Sequence, residues 1–285
     1  MMTAQIIDGL HVAKYIKSSM MKKIHALKAQ NMEPCLATVL VGDNPASATY
    51  VKNKQRAAIE LGMKTKDHKL SSNCAQTELL KLLNDLNEDA SVHGILVQLP
   101  LPTHLDTSII TNAIKPQKDV DGLTTVNMGL LISGRGILRP CTPIGILELM
   151  DHYGINISGS DVVIVNRSQL VGKPLAFLLL QRDATVTICH SKSNDILKKI
   201  KDADVVITGV GNREKFTLTG EMIKNDSIVI DVGITRYKGK LVGDADYASV
   251  GKKASWITPV PGGVGPMTVC MLLNNTLIAA SLSKT

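Results

Sequence analysis

Four short apolar runs in the second half of the chain, at 162–165, 185–189, 205–207 and 228–230, alternate with stretches of helical character. Short strands that are apolar along almost their whole length are buried on both faces, and helical crossovers between them make neighbouring strands parallel. This half is therefore restricted to a Rossmann-like, doubly wound parallel sheet, an architecture that takes ligands at the carboxyl ends of its strands. The first half shows the same alternation: strand 35–41, helix 45–61, strand 63–70, helix 76–88 and strand 92–97. A helix over 9–30 precedes them as scaffold, with Val12, Ile16, Met20 and Leu27 at helical spacing. A length of 285 residues accommodates two α/β domains with a cleft between them. The first is expected over 1–123, completed by a closing helix at 267–285, and the second over 124–266.

A net charge of +7 and a pI near 9.1 admit nucleic acid, anionic lipid or an anionic small molecule as partner. Aromatic residues make up only 3%, too few for base-stacking platforms. The lysines fall in isolated doublets such as Lys198-Lys199 rather than in a stripe, which favours small phosphate- and carboxylate-bearing ligands and no nucleic acid. No apolar run approaches the roughly 20 residues that span a bilayer, so no membrane is expected. Five scattered cysteines without a C-x-x-C read as reduced thiols of a cytoplasmic protein, with no metal site.

Chemistry concentrates in three places. Asp43 and Asn44 are cap candidates, Pro45 suits the first helical position, and Gly62 suits the C-terminal stop. The helix between them carries Tyr50 and Lys54 four residues apart, so a phenol and an amine share one face. Alone, that spacing proves little, since a solvated surface helix carries it as well. Gln98 ends an apolar strand and precedes Leu99-Pro100-Leu101-Pro102; it can point into a crevice or simply bond backbone. Asp119 and Asp121 lie in a turn-like segment, where acids also serve as backbone caps. A second helix is expected to open with Thr142 as cap and Pro143 as its first residue.

The third place is the turn Asn166-Arg167-Ser168 with the later Gly172, where helix amides can face a phosphate, although βαβ turns without cofactors are common. NAD-binding units place an acid at the end of the second strand for the ribose 2′-hydroxyl. Here that strand ends in Cys189-His190-Ser191-Lys192-Ser193, with no acid. With Arg167, this set suits a 2′-phosphate and hence NADP; the other reading is a solvated loop with a helix cap at Ser193. Val210-Gly211 and Ile234 follow later strands, and the loop 258–268, containing Pro261, Gly262 and Gly263, presents shaped backbone suited to a flat ring.

Six segments in this order resemble the bifunctional methylenetetrahydrofolate dehydrogenase/methenyltetrahydrofolate cyclohydrolase family: 50–54, 94–102, 118–122, 140–143, 167–174 and 259–268. The resemblance spans nearly the whole chain. It implies oxidation of 5,10-methylenetetrahydrofolate by NADP, hydrolysis of the methenyl product to 10-formyltetrahydrofolate, and a homodimer. It also implies that Lys54 is the catalytic lysine, that Gln98 bonds it, that Tyr50 lines the pterin pocket and that Asp121 anchors the pterin. Leu99, Pro261, Gly262 and Gly263 are further candidates for folate contact. Asn166, Arg167, Ser168, Gly172, His190, Ser191, Val210, Gly211 and Ile234 are candidates for the cofactor. One departure stands out: the family commonly has Gly where this chain has Asn166, a residue that tolerates left-handed backbone. A short-chain dehydrogenase also uses Tyr-x-x-x-Lys, but its dinucleotide turn precedes that pair, whereas the turn here lies more than a hundred residues after it.

Overall fold

The protein is described by a computed structural model over residues 4–283. In chain order its elements are β1 (Gln5–Ile6), α1 (Gly9–Lys28), β2 (Cys35–Val41), α2 (Pro45–Glu60), β3 (Lys64–Leu70), α3 (Gln76–Glu88), β4 (Gly94–Val97), α4 (Thr107–Asn112) and α5 (Thr125–Ile132). There follow α6 (Cys141–His152), β5 (Asp161–Val165), α7 (Gly172–Leu180), β6 (Thr185–Cys189), α8 (Ile196–Asp202), β7 (Val205–Thr208) and β8 (Ile228–Asp231). The series closes with β9 (Thr235–Tyr237), β10 (Lys240–Val242), α9 (Tyr247–Val250), β11 (Trp256–Ile257) and α10 (Val264–Leu282). Two compact units result. One contains residues 4–14 with Thr142–Thr268, the other Tyr15–Cys141 with residues 269–283.

The second of these holds a three-stranded parallel sheet in the order β3-β2-β4. All seven residues of β2 are buried, as a central strand between two neighbours requires. Its one polar side chain, Thr38, donates to Asp67 Oδ1 at 2.8 Å and accepts from Gln55 Nε2 at 3.0 Å. Leu79, Leu83 and Leu86 recur at helical spacing on α3 and pack with Val39, Ile95 and Val97. Each fully buried leucine contributes roughly 1.5–3 kcal/mol.

This unit extends past Thr124, where the sequence places the crossing, because α5 is tied back to it. Asn127 Nδ2 donates to Pro116 O and Asp119 Oδ2, and Thr125 N donates to Asn112 Oδ1. Thr142 lies inside α6 instead of capping it, and its hydroxyl pairs with that of Thr268 at 2.9 Å. The long α10 starts at Val264, and by length and composition it could cross a membrane, contrary to the expectation that no run approaches that length. Its apolarity has a core role: Cys270, Met271, Leu272, Leu273 and Leu277 are all buried. The buried amide of Asn275 is satisfied by Val120 O and Arg139 O, each at 2.9 Å.

The other unit holds a six-stranded, all-parallel sheet in the order β1-β11-β8-β7-β5-β6. β1 pairs with β11, which draws the first residues of the chain into this unit rather than the other. Since β6 lies on one side of β5 and β7 on the other, strand order reverses between β5 and β7. The loops after these two strands therefore flank the crevice where doubly wound sheets take their ligands.

Candidate active site and cofactor site

In the three-stranded unit, α2 begins where Asn44 Oδ1 accepts from Ala46 N at 3.0 Å and Ser47 N at 3.1 Å, with Pro45 following. It ends at Leu61, followed by Gly62 at φ +84°, the left-handed closing position that favours glycine. Val51, Ala57 and Ala58 are buried, while Tyr50 is 44% exposed and Lys54 half-buried. Lys54 Nζ donates to Gln98 Oε1 at 3.0 Å. Gln98 N continues the ladder to Val39 O at 2.9 Å, and its Nε2 donates to Leu99 O at 2.6 Å. An ammonium can only donate, so the amide oxygen must face Lys54 and the amide nitrogen the backbone. Gln98 thus bonds backbone, as one of the two sequence readings has it, and also holds Lys54, with Leu99 half-buried beside it.

The two acids of the turn have separate surroundings. Asp119 is 1% exposed, and its carboxylate accepts from Gly122 N, Thr124 N and Asn127 Nδ2 at 2.8–2.9 Å. It is a cap for the turn. Asp121 lies beside the Cys141 thiol, which donates to Val120 O at 3.3 Å. Burial pushes the Asp121 pKa up, the Lys54 charge opposes that shift, and Asp119 adds to it. Burial and the Asp121 charge also push the Cys141 thiol well above its ordinary value, so it stays protonated and donates. A hollow of about 730 Å³ in this unit lies around Cys35, Lys66, His93 and Lys118, and none of the site candidates lines it.

In the six-stranded unit, the turn after β5 is organised by Asn166. Its Oδ1 accepts from Ser168 N, Ser168 Oγ and Gly172 N at 2.8–3.0 Å, and its Nδ2 donates to Gly209 O. Asn166 is not left-handed; its side chain holds the turn, and its polar atoms are already paired. Ser168 Oγ also accepts from Val171 N at 3.1 Å. The expectation that the amides opening α7 face a phosphate is therefore corrected: those of Ser168, Val171 and Gly172 are taken from within. A side chain at Gly172 would meet Asn166 O at 2.0 Å, which explains the glycine.

At the end of β6, His190 N donates to Ser193 Oγ and His190 Nδ1 accepts from Lys192 N. Ser193 shapes this turn, while α8 starts after Asp195. Arg167, Ser191 and Lys192 are exposed, and their side chains have no described hydrogen bond or ion pair. Val210 and Ile234, after β7 and β8, expose 39% and 40% of their surfaces. Free cationic and hydroxyl donors without a competing acid, together with apolar surface at the strand ends, fit a phosphorylated dinucleotide. Pro261, Gly262 and Gly263 also belong to this unit, where Gly262 O accepts from Leu10 N at 3.1 Å and Gly262 has φ +108°.

Two buried acids that the sequence reading passes over lie behind these loops. Asp244, 0% exposed, accepts from Thr208 Oγ1, Val210 N and Gly211 N at 2.6–3.0 Å. Asp231 accepts from Gly233 N, Asp244 N and Ala245 N at 2.8–3.1 Å. Burial outweighs those amides and raises the Asp231 pKa to about 6. The legible signal is glycine beside acid: a side chain at Gly233 would strike the Asp244 carboxylate, and one at Gly243 that of Asp231.

A doubly wound sheet with an open switch point, in a chain whose other unit presents an amine held by an amide, defines a dinucleotide-binding α/β enzyme. Residues 7–121 match the catalytic domain of tetrahydrofolate dehydrogenase/cyclohydrolase, and residues 140–284 match its NAD(P)-binding domain. The chain belongs to this family and is a bifunctional dehydrogenase/cyclohydrolase, an oxidoreductase and a hydrolase. It is 56% identical to a bifunctional protein FolD of Nitrosopumilus maritimus, over 99% of each chain. The crystal structure of the bifunctional FolD of Campylobacter jejuni superposes with a TM-score of 0.95 at 46% identity, covering 98% of this chain and 99% of that one. The FolD of Trypanosoma brucei, solved with NADP and an inhibitor, gives 0.94 at 38% identity, over 100% of this chain and 99% of that one.

Proposed function

We propose that this chain oxidises 5,10-methylenetetrahydrofolate with NADP and hydrolyses the resulting 5,10-methenyl cation to 10-formyltetrahydrofolate, with Lys54 handling the proton of the second step. The observation that carries this reading is the Lys54–Gln98 hydrogen bond, with Asp121 close enough to feel the charge of the same lysine.

In the first step a C–H bond of the methylene carbon breaks and its electron pair leaves as hydride. When bound, NADP supplies the acceptor for that hydride. No side chain need gain or lose a proton, so the protein's contribution is alignment. Asp121, with free carboxylate lone pairs, accepts two hydrogen bonds from the pterin edge, and Tyr50 and Leu99 flank the ring. In the second step water adds to the methenyl carbon, its proton passes to or through the Lys54 amine, and the bond from that carbon to N5 then opens. Gln98 Oε1 holds the amine in place.

Arg167, Ser191 and Lys192 are assigned to the 2′-phosphate, with His190 shaping their turn, which favours NADP over NAD. Asn166, Ser168 and Gly172 build the turn beneath the cofactor, while Val210, Gly211 and Ile234 border it. Pro261, Gly262 and Gly263 are assigned to the folate. The working form is taken to be a cytoplasmic homodimer without nucleic-acid or membrane partners, a reading supported by five scattered, buried cysteines and dispersed basic residues. The test is an absorbance assay with methylenetetrahydrofolate and either nucleotide. Methenyl formation with NADP, followed by its decay to the 10-formyl compound, is expected. Equal kcat/KM with NAD would remove the cofactor assignment.

A further inference from the structure

We infer that Asp244 is a positioning residue for the cofactor, pre-shaping the loop after β7 before any nucleotide arrives, with Asp231 holding Asp244 in turn. The inference rests on the reading that the six-stranded unit binds NADP. The loop 209–211 borders the switch point, yet its own polar groups face inward. Gly209 O accepts from Asn166 Nδ2, and the Val210 and Gly211 amides both donate to Asp244. Gly211 has φ +64°, so the chain turns sharply there and brings two successive amides onto one carboxylate. With these donors spent, the loop offers the cofactor the exposed Val210 side chain, an apolar contact rather than a phosphate grip, and a Cβ at Gly211 would lie 3.8 Å from the carbonyl of Ile234, itself exposed.

The carboxylate is itself fixed from below. Asp231 receives the amides of Asp244 and Ala245, which anchors the backbone carrying the Asp244 side chain, and the amide of Gly233, which anchors the turn leading to Ile234. Two acids thus set two loop tips, and neither needs to touch the ligand. The loss of a buried acceptor of two amides leaves those donors unpaired.

The test compares Asp244→Asn with Thr208→Val by calorimetric titration with NADP, and follows nucleotide-free hydrolysis of methenyltetrahydrofolate in both. Asp244→Asn keeps the volume but turns a donor toward the amides; NADP affinity is expected to fall about tenfold or more. The KM for NADP should rise more than kcat falls, and hydrolysis should stay within about twofold of wild type, because a positioning role moves binding first. Thr208→Val removes only the hydroxyl donated from within the strand, and NADP affinity should change by less than about twofold. Amide hydrogen exchange on nucleotide-free wild-type protein gives a readout that needs no variant: Val210 and Gly211 should be protected like β7 rather than like an open loop. Wild-type NADP affinity in Asp244→Asn, or open-loop exchange at both amides, overturns the inference. Wild-type protein that binds no NADP at all would instead overturn the functional reading beneath it.

Discussion

Lys54 and Asp121 in one unit, and Asn166, Asp231 and Asp244 in the other, use their polar groups in opposite ways. In the three-stranded unit, Lys54 and Asp121 keep bonding capacity for a ligand, with Lys54 supported by Gln98. In the six-stranded unit, Asn166, Asp231 and Asp244 turn all their described bonds inward and hold backbone. The contrast follows the chemistry. Hydrolysis needs a group that moves a proton, whereas hydride transfer needs a shaped bed for a flat ring.

Substitutions can break that contrast. The largest effect is expected at Lys54: in Lys54→Met, hydrolysis of methenyltetrahydrofolate should fall by about 10²–10⁴, measured by loss of methenyl absorbance, with hydride transfer reduced far less. Next is the pH dependence of Asp231. Its folded pKa of about 6 exceeds the ordinary carboxylate value, so its stabilising contribution is complete below about pH 4 and is lost as pH rises through 6. The loss is on the order of 2–3 kcal/mol. Ion-paired acids such as Asp89 and Asp204, held down by Lys66 and Lys224, slope the other way, so the difference between wild type and Asp231→Asn isolates the effect. In urea titrations that difference should shrink from pH 4 to 7; a constant gap would leave Asp231 with no titration in this range.

Asp121→Ala should weaken folate binding by about 10–100-fold and leave NADP binding nearly intact, since the lost acceptor serves one ligand. Calorimetry with both ligands decides, and equal losses would make Asp121 a structural acid like Asp119. The smallest effect is expected for Arg167→Ala with Ser191→Ala. The NADP KM should rise roughly fivefold more than that for NAD, and less at high salt, because exposed charge pairs are weak and screened.

Much of this was legible in the sequence where the cause is local. Apolar runs marked β2 and β5, and Asn44, Pro45 and Gly62 marked the ends of α2, because burial and capping act within a few residues. The Tyr50–Lys54 spacing and the missing acid after β6 depend on chain order alone. What stayed hidden depends on distant partners. Gln5 and Ile6 form a strand only because Trp256 and Ile257 lie alongside, and α5 looked like a crossing until Asn127 met Asp119. The β9–β10 hairpin is three residues a side around Lys238-Gly239, too short to leave a pattern. Asp231 and Asp244 leave no mark either, since neither shows in sequence which amides it will meet.

The most direct measurement supplies methenyltetrahydrofolate to nucleotide-free protein, wild type beside Lys54→Met, and follows formation of the 10-formyl compound. The division of labour between the units requires the wild type to turn over with no nucleotide present and Lys54→Met to stay silent. A wild-type enzyme that hydrolyses nothing until NADP is added, or a Lys54→Met variant that matches it, would contradict the account.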